Sequence, residues 1–214
     1  MGNRAVITTR ENFENNGIGI YLQWNGGRDS VSAFLEYCRL RNFRPPEEDN
    51  YGWARLIQII ANFICGGLSL GVDTVDHLDL DNKDNGTYII EKWRIVGREY
   101  FDLEEQELYP LKDILMAIDR RQPAEQQLGH EYLVASEDKP VEQIRMGDWV
   151  WVPNIDDDCG FEKGLVTGTG TPPDYYGDAH ADRIVPYVRL LGRTCYLTEP
   201  MYRVKIRRQI NIRS

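Results

Sequence analysis

The sequence predicts an α+β protein: an antiparallel sheet with helices on one face, followed by a small all-β unit. Three observations predict it. Ile18–Trp24 and Thr87–Val96 are runs rich in β-branched and aromatic residues, bounded by turn-forming residues. Two stretches place apolar residues at i, i+3, i+4 and i+7, the spacing of one helix face, and a third carries a broad apolar face. After residue 139 that helical period disappears and short Val- and Trp-rich runs alternate with turn signals. The chain therefore divides into an α+β domain over 1–121, a linker over 122–139 and a β domain over 140–214.

Arg4–Thr9 is the first strand. Asn15-Asn16-Gly17 turns the chain, and Ile18–Trp24 returns beside it as a hairpin with a longer loop. The turn Asn25-Gly26-Gly27-Arg28-Asp29-Ser30 then opens a helix over about Ser30–Asn42, whose apolar face is Val31, Phe34, Leu35 and Cys38. Asp29 or Ser30 is suited to the N-cap, since either oxygen can accept from free amides of the first turn. Arg44-Pro45-Pro46 stops the helix, and Glu47-Glu48-Asp49-Asn50 is an acidic, exposed connector. Leu56, Ile57, Ile60, Phe63 and Ile64 give a second helix over Tyr51–Cys65, closed by Gly66-Gly67. Asn85-Gly86 favours a type I′ hairpin turn, after which Thr87–Val96 is a strong strand. A third helix carries Leu111, Ile114, Leu115 and Ile118, begins after Pro110 and ends at Arg121-Gln122-Pro123. Gln122–Lys139 is polar and aperiodic, hence the linker.

In the second unit, PVEQIRMGDWVWV (140–152) places a turn at Gly147-Asp148 and a strand at Trp149–Val152. This stretch resembles the first strands of SH3-like barrels, which makes the β domain SH3-like. It is also similar to part of the self-splicing Hint domains, but their first-residue nucleophile and their histidine have no counterpart that can be placed here. From Ile155 to Asp182 the chain reads as loop, with Gly168, Gly170, Pro172 and Pro173 opposing regular structure. Ile184–Leu191 and Met201–Ile206 are closing strands.

The chain carries 34 acidic against 25 basic residues, a net charge of −9. Such a balance opposes a general phosphate-neutralising surface and suits a basic partner, including the nucleic-acid groove of another protein. Glu47, Glu48 and Asp49 form one candidate partner-binding cluster, and Asp156, Asp157 and Asp158 the other. The end of the chain, RVKIRRQINIRS, holds five basic residues and no acid, and is expected to pair with acidic groups of the same chain. Cys38, Cys65, Cys159 and Cys195 are scattered, with no CxxC and no nearby His77, His130 or His180, so no zinc site is expected. They read as reduced, mostly buried thiols of a cytoplasmic protein. A calcium loop starting at Asp81 would put Lys83 at a ligand position and Lys92 in place of the bidentate glutamate, which opposes a cation. No metal and no cofactor is expected. No signal peptide is read at the start, and no apolar run approaches the ~20 residues of a membrane span.

The turn Asn25–Ser30 has two readings. A glycine-rich turn feeding a helix N-terminus can hold phosphate on bare amides and the positive end of the helix dipole. NGGRDS resembles the SGGxDS loop of the ATP pyrophosphatase (PP-loop) superfamily, matching at Gly26, Gly27, Asp29 and Ser30 with Asn25 in place of serine. That resemblance implies adenylating chemistry, a nucleotide site over Asn25, Gly26, Gly27, Arg28, Asp29 and Ser30, and a parallel sheet with the turn at a strand's C-terminal end. The plainer reading, a tight turn and a helix cap, is favoured by a second helix following the first. A second resemblance covers roughly the first 120 residues. MGNRAVITT and GIYLQWNGGRDSVSAFLEYC are similar to uncharacterised proteins of phages and integrated mobile elements of gut Firmicutes. Those proteins carry a strand ending in a His- or Gln-Trp-Asn/Asp-Gly turn and then a helix.

A nucleophilic triad needs Ser or Cys, His and a carboxylate held together, and no such constellation is legible. The expectation is a binding protein rather than an enzyme. It would be a phage or mobile-element accessory protein in the bacterial cytoplasm that inhibits a nucleic-acid-handling host defence, in the manner of an anti-CRISPR protein. Its partner would be a host protein with a basic surface, such as a CRISPR effector, with no direct contact to nucleic acid or membrane. The alternative is the PP-loop-like adenylating enzyme.

Overall fold

The computed structural model describes residues 2–65, 69–101, 109–134, 136–153, 161–173, 183–190 and 193–205. The chain forms two compact units, Met1–Leu128 and Gly129–Ser214. It is mixed α+β, and among the described residues each unit holds one sheet.

In the first unit, β1 (Ala5–Thr9) is buried along its whole length and forms a hairpin with β2 (Ile18–Leu22), with Ala5 opposite Leu22 and Ile7 opposite Ile20. Their connection holds a short helix, α1 (Arg10–Glu14), where the sequence showed only a loop. Its N-cap is Thr9, whose hydroxyl accepts from the Asn12 amide. The third strand, β3 (Leu70–Thr74), pairs antiparallel with β2. On the other side of β1 lies β4 (Thr87–Glu91), and it runs parallel to β1, so the sheet is not wholly antiparallel as expected. Asp84 explains the direction. Its carboxylate accepts from the Arg4 amide and from Arg4 Nε at 2.8 Å, and the Val6 amide donates to the Gly86 carbonyl. Residues 84–86 are thereby held beside the start of β1, and β4 leaves in the same sense.

The run Thr87–Val96 is two strands. A two-residue turn at Lys92-Trp93 separates β4 from β5 (Arg94–Glu99), and both turn residues have positive φ, 48° and 61°. A type I′ turn needs that geometry, and bulky residues rarely adopt it. Here the Trp93 indole is buried and donates from Nε1 to the Phe43 carbonyl at 2.7 Å, which holds the turn in place. Asn85-Gly86 is not a hairpin turn. Gly86 (φ +65°) packs against backbone, where a Cβ would lie 2.2 Å from the Glu99 carbonyl oxygen. The order of the sheet is β3-β2-β1-β4-β5.

The three longer helices are α2 (Arg28–Leu40), α3 (Tyr51–Phe63) and α4 (Leu111–Arg121). They pack on one another, and most of the apolar positions that the period predicts are buried: Val31, Phe34, Leu35 and Cys38 on α2, Leu56 and Ile60 on α3, and Ile114, Leu115 and Ile118 on α4, whereas Ile57, Phe63 and Ile64 are half-buried and Leu111 is exposed. Gly66-Gly67, read as the end of the second helix, lie outside the described residues. Of the cysteines, Cys38 is buried, Cys195 half-buried and Cys65 exposed.

The expected linker is not one. Gln122 is buried, donating to the carbonyls of Ile59 and Ile118 and accepting from Asn62. Asp119 accepts from the Leu128 amide at 2.7 Å. These bonds satisfy polar groups that composition alone marks as solvent-seeking, and they carry the first unit to residue 128. Residues 129–140 already belong to the second unit, as α5 (Gly129–Leu133) and β6 (Ser136–Pro140), whose strand pairs with β11 (Met201–Lys205).

The second unit has one sheet of order β10-β9-β8-β7-β11-β6, with every pairing antiparallel. Its remaining strands are β7 (Trp149–Pro153), β8 (Phe161–Gly170), β9 (Val185–Leu190) and β10 (Arg193–Tyr196). Val150, Val152, Val166, Val188, Leu197 and Val204 form the core. Among the described strands β10 and β6 stand at opposite edges, so the closed barrel expected of an SH3-like unit is not seen. The ten-residue β8 replaces part of the expected loop. Its glycines serve close approach: a Cβ on Gly168 would lie 2.7 Å from the Tyr187 hydroxyl, and one on Gly164 3.0 Å from Val188 Cβ. The described part of the basic end pairs within this unit, Arg203 with Asp138 and Lys205 with Glu131. Among the described residues no helix is long and apolar enough to cross a membrane.

Candidate functional site

The turn at 25–30 is closed upon its own chain. Asn25 takes the left-handed conformation (φ 60°), and Gly26 and Gly27 are buried. A Cβ on Gly26 would lie 2.6–2.7 Å from the backbone of residues 3–5, and the Gly26 amide donates to the Asn3 carbonyl at 2.8 Å. Helix α2 starts at Arg28 with Gly27 as N-cap, not Asp29 or Ser30. Asp29 sits inside the first turn, where its Oδ1 accepts from the Ser30 amide at 2.7 Å and the Ser30 hydroxyl at 3.3 Å. Two amides that a phosphate would need, those of Gly26 and Ser30, are thus already engaged. The strand that feeds the turn, β2, is antiparallel to both of its neighbours. The adenylating alternative required a parallel strand there.

The acidic connector fares differently. Asp49 pairs with Arg44 at 2.8 Å and accepts from the Tyr51 amide at 3.0 Å, so it anchors the start of α3. Glu48 is exposed. Glu47 lines a cleft of about 390 Å³ together with Thr9, Arg10, Glu11, Glu14, Asn15, Ile90, Glu91 and Val96. Asp156, Asp157 and Asp158 lie outside the described residues.

Local structure places each wall of this cleft. The Thr9 cap starts α1, and Glu11 in its first turn suits the positive end of the helix dipole. Ile90 and Glu91 end β4 just before the Lys92-Trp93 turn. Val96 is the extra residue of a β-bulge: Ile89 faces Gly97 and Ile90 faces Ile95, leaving Val96 between them. A bulge re-aims the side chain it adds, and Val96 is 56% exposed at the cleft. Glu11, Glu14, Glu47 and Glu91 are all exposed, while Ile90 is buried beneath them.

The electrostatics are one-sided. Four glutamates face one arginine, Arg10, which is itself drawn to Glu99 at 3.4 Å. Burial holds the Glu47 carboxyl above the usual range, its own amide and that of Lys92 pull it down, and Glu91 and Glu48 push it up again. As a residue Glu47 is nonetheless exposed, and exposure decides whether a partner can reach it. Thr9 is occupied as a cap, and the lining holds no Ser, Cys or His. The cleft thus offers carboxylates suited to a cation, with the exposed Val96 side chain beside them for an apolar stem. Among the described residues no group of three His, Cys, Asp or Glu could hold a metal ion.

Of the candidate site residues that lie among the described residues, only Glu47 lines the cleft. Glu11 and Glu14 were missed because α1 has just five residues and shows no periodicity, and Glu91 because the turn behind it lacks glycine and asparagine. The Thr9 cap was the available signal. No family model, curated protein or solved structure matches the chain.

Proposed function

We propose that the chain acts by binding a host protein through a basic surface of that partner, as an accessory protein of phage or mobile-element origin. On this reading it works in the bacterial cytoplasm as an inhibitor of a nucleic-acid-handling defence, in the manner of an anti-CRISPR protein. The observation that carries it is the cleft lined by Glu11, Glu14, Glu47 and Glu91, with the exposed Val96 among them. Charge supports it too: residues 1–128 hold 21 acidic and 14 basic residues, against 13 and 11 in residues 129–214. Opposite potentials of this kind speed association and are screened by salt.

The finer reading of the second unit, an SH3-like module, draws support from strand order. Its last strand, β11, lies beside β7, and the meander β7-β8-β9-β10 follows.

The test uses the immobilised chain with a purified basic host effector, measured across a salt series. Binding at low salt should fall steeply with ionic strength and weaken in the Glu47→Gln/Glu91→Gln double variant. No retention of a basic partner at low salt, or retention indifferent to both substitutions, overturns the reading.

A further inference from the structure

Beside the acidic cleft stands an exposed aromatic held in a costly backbone conformation. Tyr100 follows β5 directly, is 51% exposed and has φ +55°. A non-glycine residue there is strained and persists only where its surroundings hold it. The hold is visible: Gly86 packs under the Glu99 and Tyr100 carbonyls, with no room for a Cβ. The result brings the Tyr100 ring to 6.4 Å from the ring of Phe13, centroid to centroid. Phe13 belongs to α1, the helix that gives Glu11 and Glu14 to the cleft. Glu99, the neighbour of Tyr100, pairs with the cleft residue Arg10. Phe101, also about half exposed, lies against the Arg98 guanidinium at 4.7 Å. Helix α1 and the Arg10–Glu99 pair thus link the elements that carry the carboxylates to those that carry the aromatics.

We infer that these two features form one recognition surface, and that it takes a basic segment carrying an apolar or aromatic side chain next to its Lys or Arg. This inference rests on the binding function proposed above and specifies the partner. The cleft receives the cation, with its aliphatic stem against Val96. The Tyr100–Phe13 pair receives the neighbouring ring, the kind of aromatic anchor that dominates interface energetics. Positive groups nearby are accounted for. Arg10 is paired, Arg98 donates to the Asn85 carbonyl at 2.8 Å, and Arg94 and Lys92 are exposed on the hairpin and restrict which register of cations is accepted.

The test is a cycle of two peptides and two proteins. The peptides are fluorescent RKRWKRK and RKRGKRK, titrated at low salt into the full chain and into Tyr100→Gly. Glycine suits the φ of Tyr100, so this variant should melt no lower than the parent while losing the ring. The expected result is that RKRWKRK binds the parent at least about tenfold tighter than RKRGKRK, and that Tyr100→Gly erases the difference. Equal affinity of the parent for both peptides, or a difference that survives Tyr100→Gly, overturns the composite surface. If RKRGKRK still binds with strong salt dependence, the acidic-cleft reading stands without it. If neither peptide binds the parent, both fail together.

Discussion

The Tyr37 hydroxyl donates to Asp119 Oδ1 at 2.7 Å across the interior of the first unit, joining α2 to α4 with both residues buried. The same carboxylate oxygen accepts from the Leu128 amide. Burial, and after it the bond to Asp119, pushes the Tyr37 hydroxyl far above its ordinary pKa, so it stays a donor throughout the working range. Tyr37→Phe removes the donor and leaves its buried carboxylate one bond short. Chemical denaturation should show a loss of about 1–3 kcal/mol, with residues 122–128 exchanging their amide hydrogens faster.

At the β4–β5 turn, Trp93→Phe keeps most of the ring but strands the Phe43 carbonyl. A loss of about 1–3 kcal/mol is expected in the same measurement. Lys92→Asn should instead gain up to about 1 kcal/mol, because asparagine tolerates the left-handed conformation. Had the hairpin turn been at Asn85-Gly86, Lys92 would lie within a strand and the asparagine would destabilise.

Glu47 has a carboxyl held above its ordinary pKa, chiefly by burial. The folded state therefore binds its proton more tightly than the unfolded chain does. Ionisation costs stability at neutral pH, and the cost fades as pH falls through the glutamate range. Glu47→Gln should raise the melting temperature at pH 7 to 8, with the gain shrinking toward pH 4. The same substitution weakens binding of a basic partner, so stability and affinity move in opposite directions.

Glu131 behaves in the opposite sense. Lys163, at 2.7 Å, and Lys205 hold its carboxyl down at about 2. Its contribution is fully present above the unfolded glutamate pKa and is lost as pH falls toward 2. Glu131→Gln should lower the melting temperature of the second unit at pH 7, and parent and variant should converge near pH 2. Lys163 also lies over the rings of Trp149 and Trp151, at 5.2 and 5.4 Å. The variant should therefore shift tryptophan fluorescence.

Much of the fold was legible where periodicity and turn chemistry act locally. Val31, Phe34, Leu35 and Cys38 mark α2, Ile114, Leu115 and Ile118 mark α4, and Asn15-Asn16-Gly17 lies in the β1–β2 connection. What escaped depends on distant partners. The parallel course of β4 is set by Arg4 on Asp84, eighty positions away. Lys92-Trp93 makes a turn without turn residues because Phe43 anchors the indole. Gln122 reads as linker because nothing local shows that Ile59 and Asn62 await its amide. The cleft was visible only through Glu47, since its other carboxylates come from α1 and β4, which meet it only in space.

The position of β1 in the middle of its sheet fixes an order of events during synthesis. Its hairpin with β2 can close as soon as Leu22 has left the ribosome, but its other edge stays bare until Thr87–Glu91 emerges. For some sixty-five residues of elongation, a strand of wholly buried side chains has one unpaired flank. Contacts of such long sequence separation are slow to form. The nascent chain is therefore most exposed to misassociation in that interval, and a pause placed before Thr87 should do more harm than one placed after Glu99.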